Sequence, residues 1–328
     1  MKIALAASIA TDHLMTFNGR FADSLVLEKL DRISVSFLAD DLQIRRGGVG
    51  ANIAFGMAML GQKPILLGAV GDDFADYRSW LERHGVDCTS VLVSSTKHTA
   101  RFVCTTDNDM AQMATFYAGA MSEARMIEIK PVADRVGGLD YVLIGADDPV
   151  AMVRHTQECR VRGIRFIADP SQQLAFADGE TIRPLVDGAD YLFTNEYEAQ
   201  LCETKTGWSA EEIAERVTTR VITKGKDGAV VMSRGEDPIE VPAAGETRRV
   251  DPTGVGDAFR AGFLTGLSAG LGHERCAQLG SMLATYVLET VGTQEYTIAK
   301  GAFLARLGAA YGAEAAAEIE PHISCARP

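Results

Sequence analysis

Residues 250–263 read VDPTGVGDAFRAGF, the stretch that says most about the fold. A strand end gives way to a Thr-Gly-x-Gly turn, and an apolar helix follows. The two glycines would expose consecutive N–H groups at the helix N-terminus, a natural anion site because it carries unsatisfied donors and partial positive charge. Asp257, in the first turn, would suit proton removal from a hydroxyl that attacks a bound phosphoryl group. Taken alone, the stretch also fits a plain glycine-turn helix cap.

Outward from this stretch, short apolar runs alternate with helical patterns. The predicted buried strands are 3–7, 64–70, 141–144, 164–168, 191–194 and 221–223. The predicted helices are 51–60, 74–84, 149–162, 179–186, 198–204, 257–268, 274–289 and 299–312. Alternation of this kind predicts an α/β fold with a central, mostly parallel sheet and helices on both of its faces.

Residues 13–46 and 97–118 break the alternation. They contain short runs of interleaved polar and apolar residues, at 32–37, 42–46, 99–105 and 111–117, which are typical of antiparallel strands with one solvated face. We therefore expect two insertions that form a small β-sheet lid within one domain, 1–328. Because the open edges of such a sheet favour pairing, we expect a homodimer through the lid.

Composition narrows the functional class. The 328 residues carry a formal net charge of -12, which argues against nucleic acid or an anionic membrane surface as a partner. No apolar run approaches the roughly 18 residues that a membrane span needs. The six cysteines are scattered, which is typical of reduced thiols in a cytoplasmic enzyme. A phosphorylated ligand stays open, since glycine-rich backbone and a metal can hold phosphate without many lysines.

A second glycine-rich segment, residues 46–54, reads RGGVGANIA. Gly47 and Gly48 permit close approach of a ligand to the backbone, and Asn52 offers both a donor and an acceptor in the first helical turn. The dinucleotide fingerprint is disfavoured because Ile53 stands where that motif needs Gly or Ala. The chain has no G-x-x-x-x-G-K-[ST] sequence, which disfavours a P-loop kinase.

Two further segments follow predicted strands. Asn195 and Glu198 could orient Mg²⁺ through its waters, although a helix cap with an acidic first turn is the simpler interpretation. Gly225 and Gly228, after Thr223, could shape a turn over a nucleotide, although alone they fit an ordinary β-turn.

Together the four segments resemble the ribokinase-like carbohydrate and nucleoside kinases, the phosphofructokinase-B family. The resemblance covers nearly the whole chain, with Val255 departing from the small residue usual at its position. It implies ATP-dependent phosphorylation of a primary hydroxyl with Asp257 as the base and the amides of Gly254, Val255 and Gly256 around the phosphoryl group. It assigns Asn195, Thr223, Gly225, Gly228 and Gly256 to ATP, and Asn195 and Glu198 to Mg²⁺ held through water.

The remaining polar and aromatic residues indicate which kind of molecule accepts the phosphoryl group. Asp12 can accept from two vicinal hydroxyls, and Asn52 with the backbone of Gly47 and Gly48 would complete a ribose-like site. Phe102 and Phe116 could stack on a base, although core packing of the small sheet would also explain them.

Longer stretches of the sequence resemble a narrower group within this family. ATDH at 10–13, RRGG at 45–48, GAMSEAR at 119–125, DPSQQL at 169–174 and GTQE at 292–295 resemble the bacterial, actinobacterial-type adenosine kinases. By position this resemblance assigns Ser8, Asp12, Ser36, Gly48 and Asn52 to the ribose, Phe102 and Phe116 to the purine, Gln172 and Gln173 to the base, and Gly292 to the ATP adenine or a monovalent-cation (K⁺) site. Ribose, another sugar or another nucleoside as acceptor stays open, as does a non-catalytic nucleoside sensor.

Overall fold

The computed structural model describes residues 1–24 and 35–325. In this part of the chain the strands are β1 (Ile3–Ala6), β2 (Ala10–Thr16), β3 (Asp41–Gly47), β4 (Ile65–Leu67), β5 (Ala69–Val70), β6 (Leu92–Val93), β7 (Ala100–Thr106), β8 (Gln112–Tyr117), β9 (Tyr141–Gly145), β10 (Arg165–Asp169), β11 (Tyr191–Asn195), β12 (Thr219–Thr223), β13 (Ala229–Ser233) and β14 (Ile239–Val241). The α-helices are α1 (Phe21–Ser24), α2 (Val49–Met59), α3 (Ala75–Arg83), α4 (Ile129–Val136), α5 (Pro149–Arg162), α6 (Gln173–Phe176), α7 (Gly179–Val186), α8 (Glu196–Thr206), α9 (Ala210–Arg216), α10 (Val255–Ser268), α11 (His273–Leu288), α12 (Lys300–Tyr311) and α13 (Ala313–Ile319).

The large sheet has the strand order β14-β13-β12-β11-β10-β9-β1-β4. All its pairs are parallel except β12 with β13 and β13 with β14, which are antiparallel. The predicted α/β fold with a mostly parallel sheet is confirmed. The antiparallel edge formed by β13 and β14 was not predicted, because their short apolar runs carry no signal of direction.

Helices cover both faces of this sheet, which explains why its strands are apolar throughout. In β1, the side chains of Ile3 and Leu5 join one hydrophobic core with α2, α10 and α11, and those of Ala4 and Ala6 join another with α4, α5 and α7. Since successive side chains of a strand point to opposite faces, a strand buried on both faces reads as a continuous apolar run.

The lid is a separate four-stranded sheet with the order β3-β2-β7-β8. The β2–β3 and β7–β8 pairs are antiparallel as expected, but β2 and β7 run parallel, so the expectation of antiparallel pairing throughout the lid was wrong. Of the strand predicted at 32–37, residues 32–34 lie outside the described residues and 35–37 form no strand. Dimerisation through the lid stays a prediction. In the described residues, no helix has the length and apolar character to cross a membrane.

The helices α10 and α11 pack against each other at glycines. A Cβ built on Gly262 of α10 would lie 2.6 Å from the Cα of Gly280 in α11, and one on Gly280 would lie 2.6 Å from the carbonyl oxygen of Phe259. This close approach fixes how α10 lies on the sheet, and with it the position of the helix N-terminus.

We expect Gly262→Ala to lower the free energy of unfolding by ~1–3 kcal/mol, because the new methyl group would collide with the backbone of α11. The matched control is Gly301→Ala in α12, where a Cβ meets nothing within 4 Å. That change should raise stability by up to ~1 kcal/mol through helix propensity alone. Urea unfolding of both variants measures the difference, and a Gly262→Ala protein as stable as Gly301→Ala would contradict the close packing.

Candidate active site

A cavity of about 810 Å³ lies between the carboxyl ends of β1, β9, β10 and β11 and the inner face of the lid. Open parallel sheets bind ligands at this edge. Of the predicted site residues, this cavity is lined by Ser8, Asp12, Gly47, Gly48, Asn52, Phe102, Phe116, Gln172, Gln173, Asn195, Glu198, Gly254, Gly256 and Asp257. Ser36 is exposed and does not line it.

A second cavity, of about 460 Å³, lies on the other side of the N-terminus of α10. Its walls include the remaining predicted turn residues Thr223, Gly225, Gly228 and Val255. Thr223 and Gly256 line both cavities, so the two meet at the start of α10. Gly292 lines neither cavity, and its N–H donates to Asp251 Oδ2 at 3.0 Å.

The turn before α10 depends on glycine at position 254. Gly254 has φ +76°, a left-handed conformation that disfavours other residues, and a Cβ there would lie 2.7 Å from Thr293 Cγ2. The N–H groups at the start of α10 have no acceptor within the helix, and that of Val255 makes only a long hydrogen bond, of 3.4 Å, to the carbonyl oxygen of Pro252. This N-terminus therefore offers donors to an anion where the cavities meet. Val255 is partly buried against the main core, which accommodates its larger side chain.

Asp257 is half-buried at this junction, and its carboxylate faces the larger cavity. Asn52 Nδ2 donates a hydrogen bond to Asp257 Oδ2 at 2.8 Å. Burial raises the pKa of Asp257 to about 7, and the hydrogen bond from Asn52 and the charge of Arg260 partly oppose the rise. A carboxylate that titrates near neutral pH can accept and release a proton under physiological conditions, as a general base must.

The orientation of Asn52 is fixed by groups that the sequence analysis did not assign. Its Oδ1 accepts hydrogen bonds from Thr293 Oγ1 and from Gln294 Nε2, both at 2.9 Å. Gln294 Nε2 also donates to the Tyr77 hydroxyl at 2.6 Å, and that hydroxyl donates to the carbonyl oxygen of Gly47 at 3.0 Å. The string at 292–295 was recognised, but only Gly292 was assigned from it.

The lid supplies one polar and two aromatic side chains from neighbouring strands. Asp12 of β2 pairs in register with Phe102 of β7, which pairs with Phe116 of β8, so the three side chains share one face. Burial raises the pKa of Asp12 to about 6, although the nearby Arg45 opposes the rise. Gly48 follows the lid strand β3 and packs directly against the backbone that follows β1. A Cβ on Gly48 would lie 2.6 Å from the carbonyl oxygen of Ser8, so glycine is needed for this close approach.

These features have counterparts in known proteins. Residues 20–300 match the family model described as pfkB family carbohydrate kinase. The chain belongs to the pfkB family. A nucleoside kinase of Methanothermobacter thermautotrophicus is 31% identical over 271 residues, which cover 82% of this chain and 86% of that protein. The ribokinase of Bacillus subtilis is 27% identical over 277 residues, which cover 81% and 89%.

Solved nucleoside kinase structures superpose on nearly the whole chain. The ligand-free Burkholderia thailandensis nucleoside kinase matches with a TM-score of 0.84 and 33% identity, over 94% of this chain and 100% of that chain. The same enzyme has been solved in complex with inosine and with ADP-inosine. The predicted ribokinase-like fold and the identification of the chain as a kinase are confirmed.

Asn195 and Glu198 are the residues to which the family resemblance assigns Mg²⁺. The two form a reciprocal helix cap, in which Asn195 Oδ1 accepts the Glu198 N–H and Glu198 Oε2 accepts the Asn195 N–H, both at 2.7 Å. Glu198 Oε1 has no hydrogen-bond partner among the described residues. The pair therefore fits contact with Mg²⁺ through water, and it also confirms the helix cap.

A buried ion pair fixes α10 to the sheet. Arg260 Nε lies 2.6 Å from Asp169 Oδ2 at the end of β10, and neither side chain is more than 6% exposed. Burial raises the pKa of Asp169, and the charge of Arg260 opposes the rise. The sequence analysis missed this pair, although an arginine within the apolar run 258–264 signals a buried partner, since a charge is buried only when it is paired.

Replacement of Arg260 by Met should lower the free energy of unfolding by ~3–5 kcal/mol, because it leaves the Asp169 carboxylate buried without a partner. The double variant Arg260→Met/Asp169→Leu removes both charges and should recover most of that loss. Denaturant unfolding of the two variants measures both changes in the free energy of unfolding. Equal stability of the single and double variants would mean that the ion pair does not hold α10 in place.

Proposed function

We propose that this pfkB-family kinase is an adenosine kinase, which transfers the γ-phosphate of ATP to the 5′-hydroxyl of adenosine and yields AMP and ADP. The single observation that carries the proposal is the junction of two cavities at the N-terminus of α10, beside Asp257. The larger cavity would hold the nucleoside and the smaller one ATP. The proposed reaction would serve purine salvage, and the scattered cysteines favour the cytoplasm as its location.

The proposed chemistry uses groups at this junction. The Asp257 carboxylate takes the proton of the 5′-hydroxyl while that oxygen forms a bond to the γ-phosphorus. The bond from the γ-phosphorus to the β–γ bridging oxygen breaks, and ADP leaves. The amides of Gly254, which caps α10, and of Val255 and Gly256 in its first turn would stabilise the negative charge on the transferred group. Mg²⁺, when bound through Asn195 and Glu198, would neutralise charge on the ATP phosphates.

Several features favour a nucleoside over a free sugar. The inner face of the lid places Phe102 and Phe116 beside Asp12, so an aromatic wall adjoins the expected ribose site. A free sugar would leave these rings without a stacking partner, whereas a base would cover them. Relatives with 31% and 33% identity are nucleoside kinases, one of them solved with inosine. Ribokinase, or another sugar or nucleoside kinase, is the alternative.

A panel of acceptors with ATP and Mg²⁺ tests the proposal. We expect kcat/KM for adenosine to exceed that for ribose by about 10- to 100-fold, because stacking of a base on an aromatic ring contributes about 1–3 kcal/mol. Guanosine, inosine and cytidine are measured alongside adenosine. Faster turnover of ribose would overturn the nucleoside assignment, and faster turnover of another nucleoside would overturn adenosine as the substrate.

The role of Asp257 can be tested through pH. Only the ionised carboxylate accepts a proton, so kcat at saturating adenosine should fall about tenfold per pH unit below the pKa of about 7 and stay level above it. Asp257→Asn should keep adenosine binding in calorimetry but lose ~10²–10⁴-fold in kcat and lack this acid limb. A variant with more than about a tenth of the wild-type kcat would exclude Asp257 as the base.

A further inference from the structure

Asp147 is a buried carboxyl group in the larger cavity to which the proposed reaction gives no role. It follows β9 at the carboxyl edge of the sheet, lines the cavity and is 3% exposed. Its Oδ1 accepts the N–H of Asp148 at 2.8 Å. None of the described residues forms an ion pair with it. Arg125, from the 3₁₀ helix Gly119–Met126, binds Asp148 instead, with Nε 3.1 Å from Asp148 Oδ2.

The neighbours of Asp147 are the residues predicted to contact the base. Gln173 Nε2 donates to the backbone carbonyl of Asp147 at 2.8 Å, which leaves Gln173 Oε1 as an acceptor. Ser171 Oγ lies 3.0 Å from Gln172 Oε1, which leaves the Gln172 amide nitrogen as a donor. Pro149 and Phe176 add apolar surface to the same wall. A flat heterocycle with polar atoms on its edge fits this combination of groups.

The charge state of Asp147 decides which kind of hydrogen bond it can make. Burial without a cation raises its pKa to about 8, so at neutral pH it is a carboxylic acid with one O–H to donate. Among the described residues, the other charged groups of the cavity are Asp12, Glu198 and Asp257 with Arg260. Of these, Asp12 and Asp257 have pKa values of about 6 and 7 and are ionised before Asp147 loses its proton.

We infer that Asp147 is a specificity-determining residue that donates a hydrogen bond to an acceptor nitrogen on the edge of the nucleoside base. The inference rests on the proposed function, because it takes the ligand of this cavity to be a nucleoside. Deprotonation of Asp147 removes the donor and places a negative charge against the lone pair of the base. Nucleoside binding should therefore weaken at alkaline pH.

Calorimetry of adenosine and of its 1-deaza, 3-deaza and 7-deaza analogues, each lacking one acceptor nitrogen, tests the inference without ATP. For wild type at pH 7, we expect one analogue to lose about tenfold in affinity through the Asp147 bond. In Asp147→Ala that same loss should vanish, while adenosine itself binds about tenfold more weakly. If the loss of affinity for that analogue in Asp147→Ala stays within twofold of the loss in wild type, the assignment is overturned.

The nearly isosteric variant Asp147→Asn provides the second test, since its amide donates at every pH. Wild-type affinity for adenosine should fall at least about fivefold between pH 7 and pH 9.5, where adenosine does not titrate, because Asp147 ionises near pH 8. Asp147→Asn should stay within twofold over the same range, and a parallel fall would overturn the inference. Thermal unfolding checks that both variants are folded. Failure of the wild type to bind any nucleoside would instead refute the proposed function.

Discussion

The rest of the site depends on the buried ion pair between Arg260 and Asp169. The pair ties α10 to the end of β10, and the close contact of Gly262 with Gly280 presses the same helix against α11. Held at both points, the N-terminus of α10 has one position relative to the strand ends. The anion-binding amides and Asp257 are therefore placed before any ligand arrives, and preorganised donors of this kind stabilise developing charge without the cost of reorganisation.

Around this anchor, one hydrogen-bonded network joins distant parts of the chain. Asn52 of α2 contacts Asp257 on one side and both Thr293 and Gln294 on the other, and the Tyr77 hydroxyl extends the network to the carbonyl oxygen of Gly47. These hydrogen bonds make the network rigid, because each broken bond leaves a buried polar group unpaired. Asn52, which contacts Asp257, is thus held in a fixed relation to the start of the lid by Thr293, Gln294 and Tyr77.

The sequence predicted the order of strands and helices well, because apolar runs and helical periodicity are local. Helices α5 and α7 have the predicted bounds, and the glycine turn before α10 lies where its motif placed it. The sequence could not predict the antiparallel edge, the parallel pairing of β2 with β7 or the exposed position of Ser36. Pairing direction and burial depend on segments that are far apart in the chain.

By itself, the sequence determined the α/β fold, the lid and the family, because glycine spacing and apolar patterning constrain each segment separately. It also named Asp257 and Asn52 as site residues. The tertiary structure alone decided that Arg260 is paired with Asp169, that Gln294 orients Asn52, and that Asp147 is buried with no cation beside it in the part of the chain that the structure describes. The physical reason is that the electrostatic state of a buried group is set by its neighbours in space, which the order of residues does not reveal.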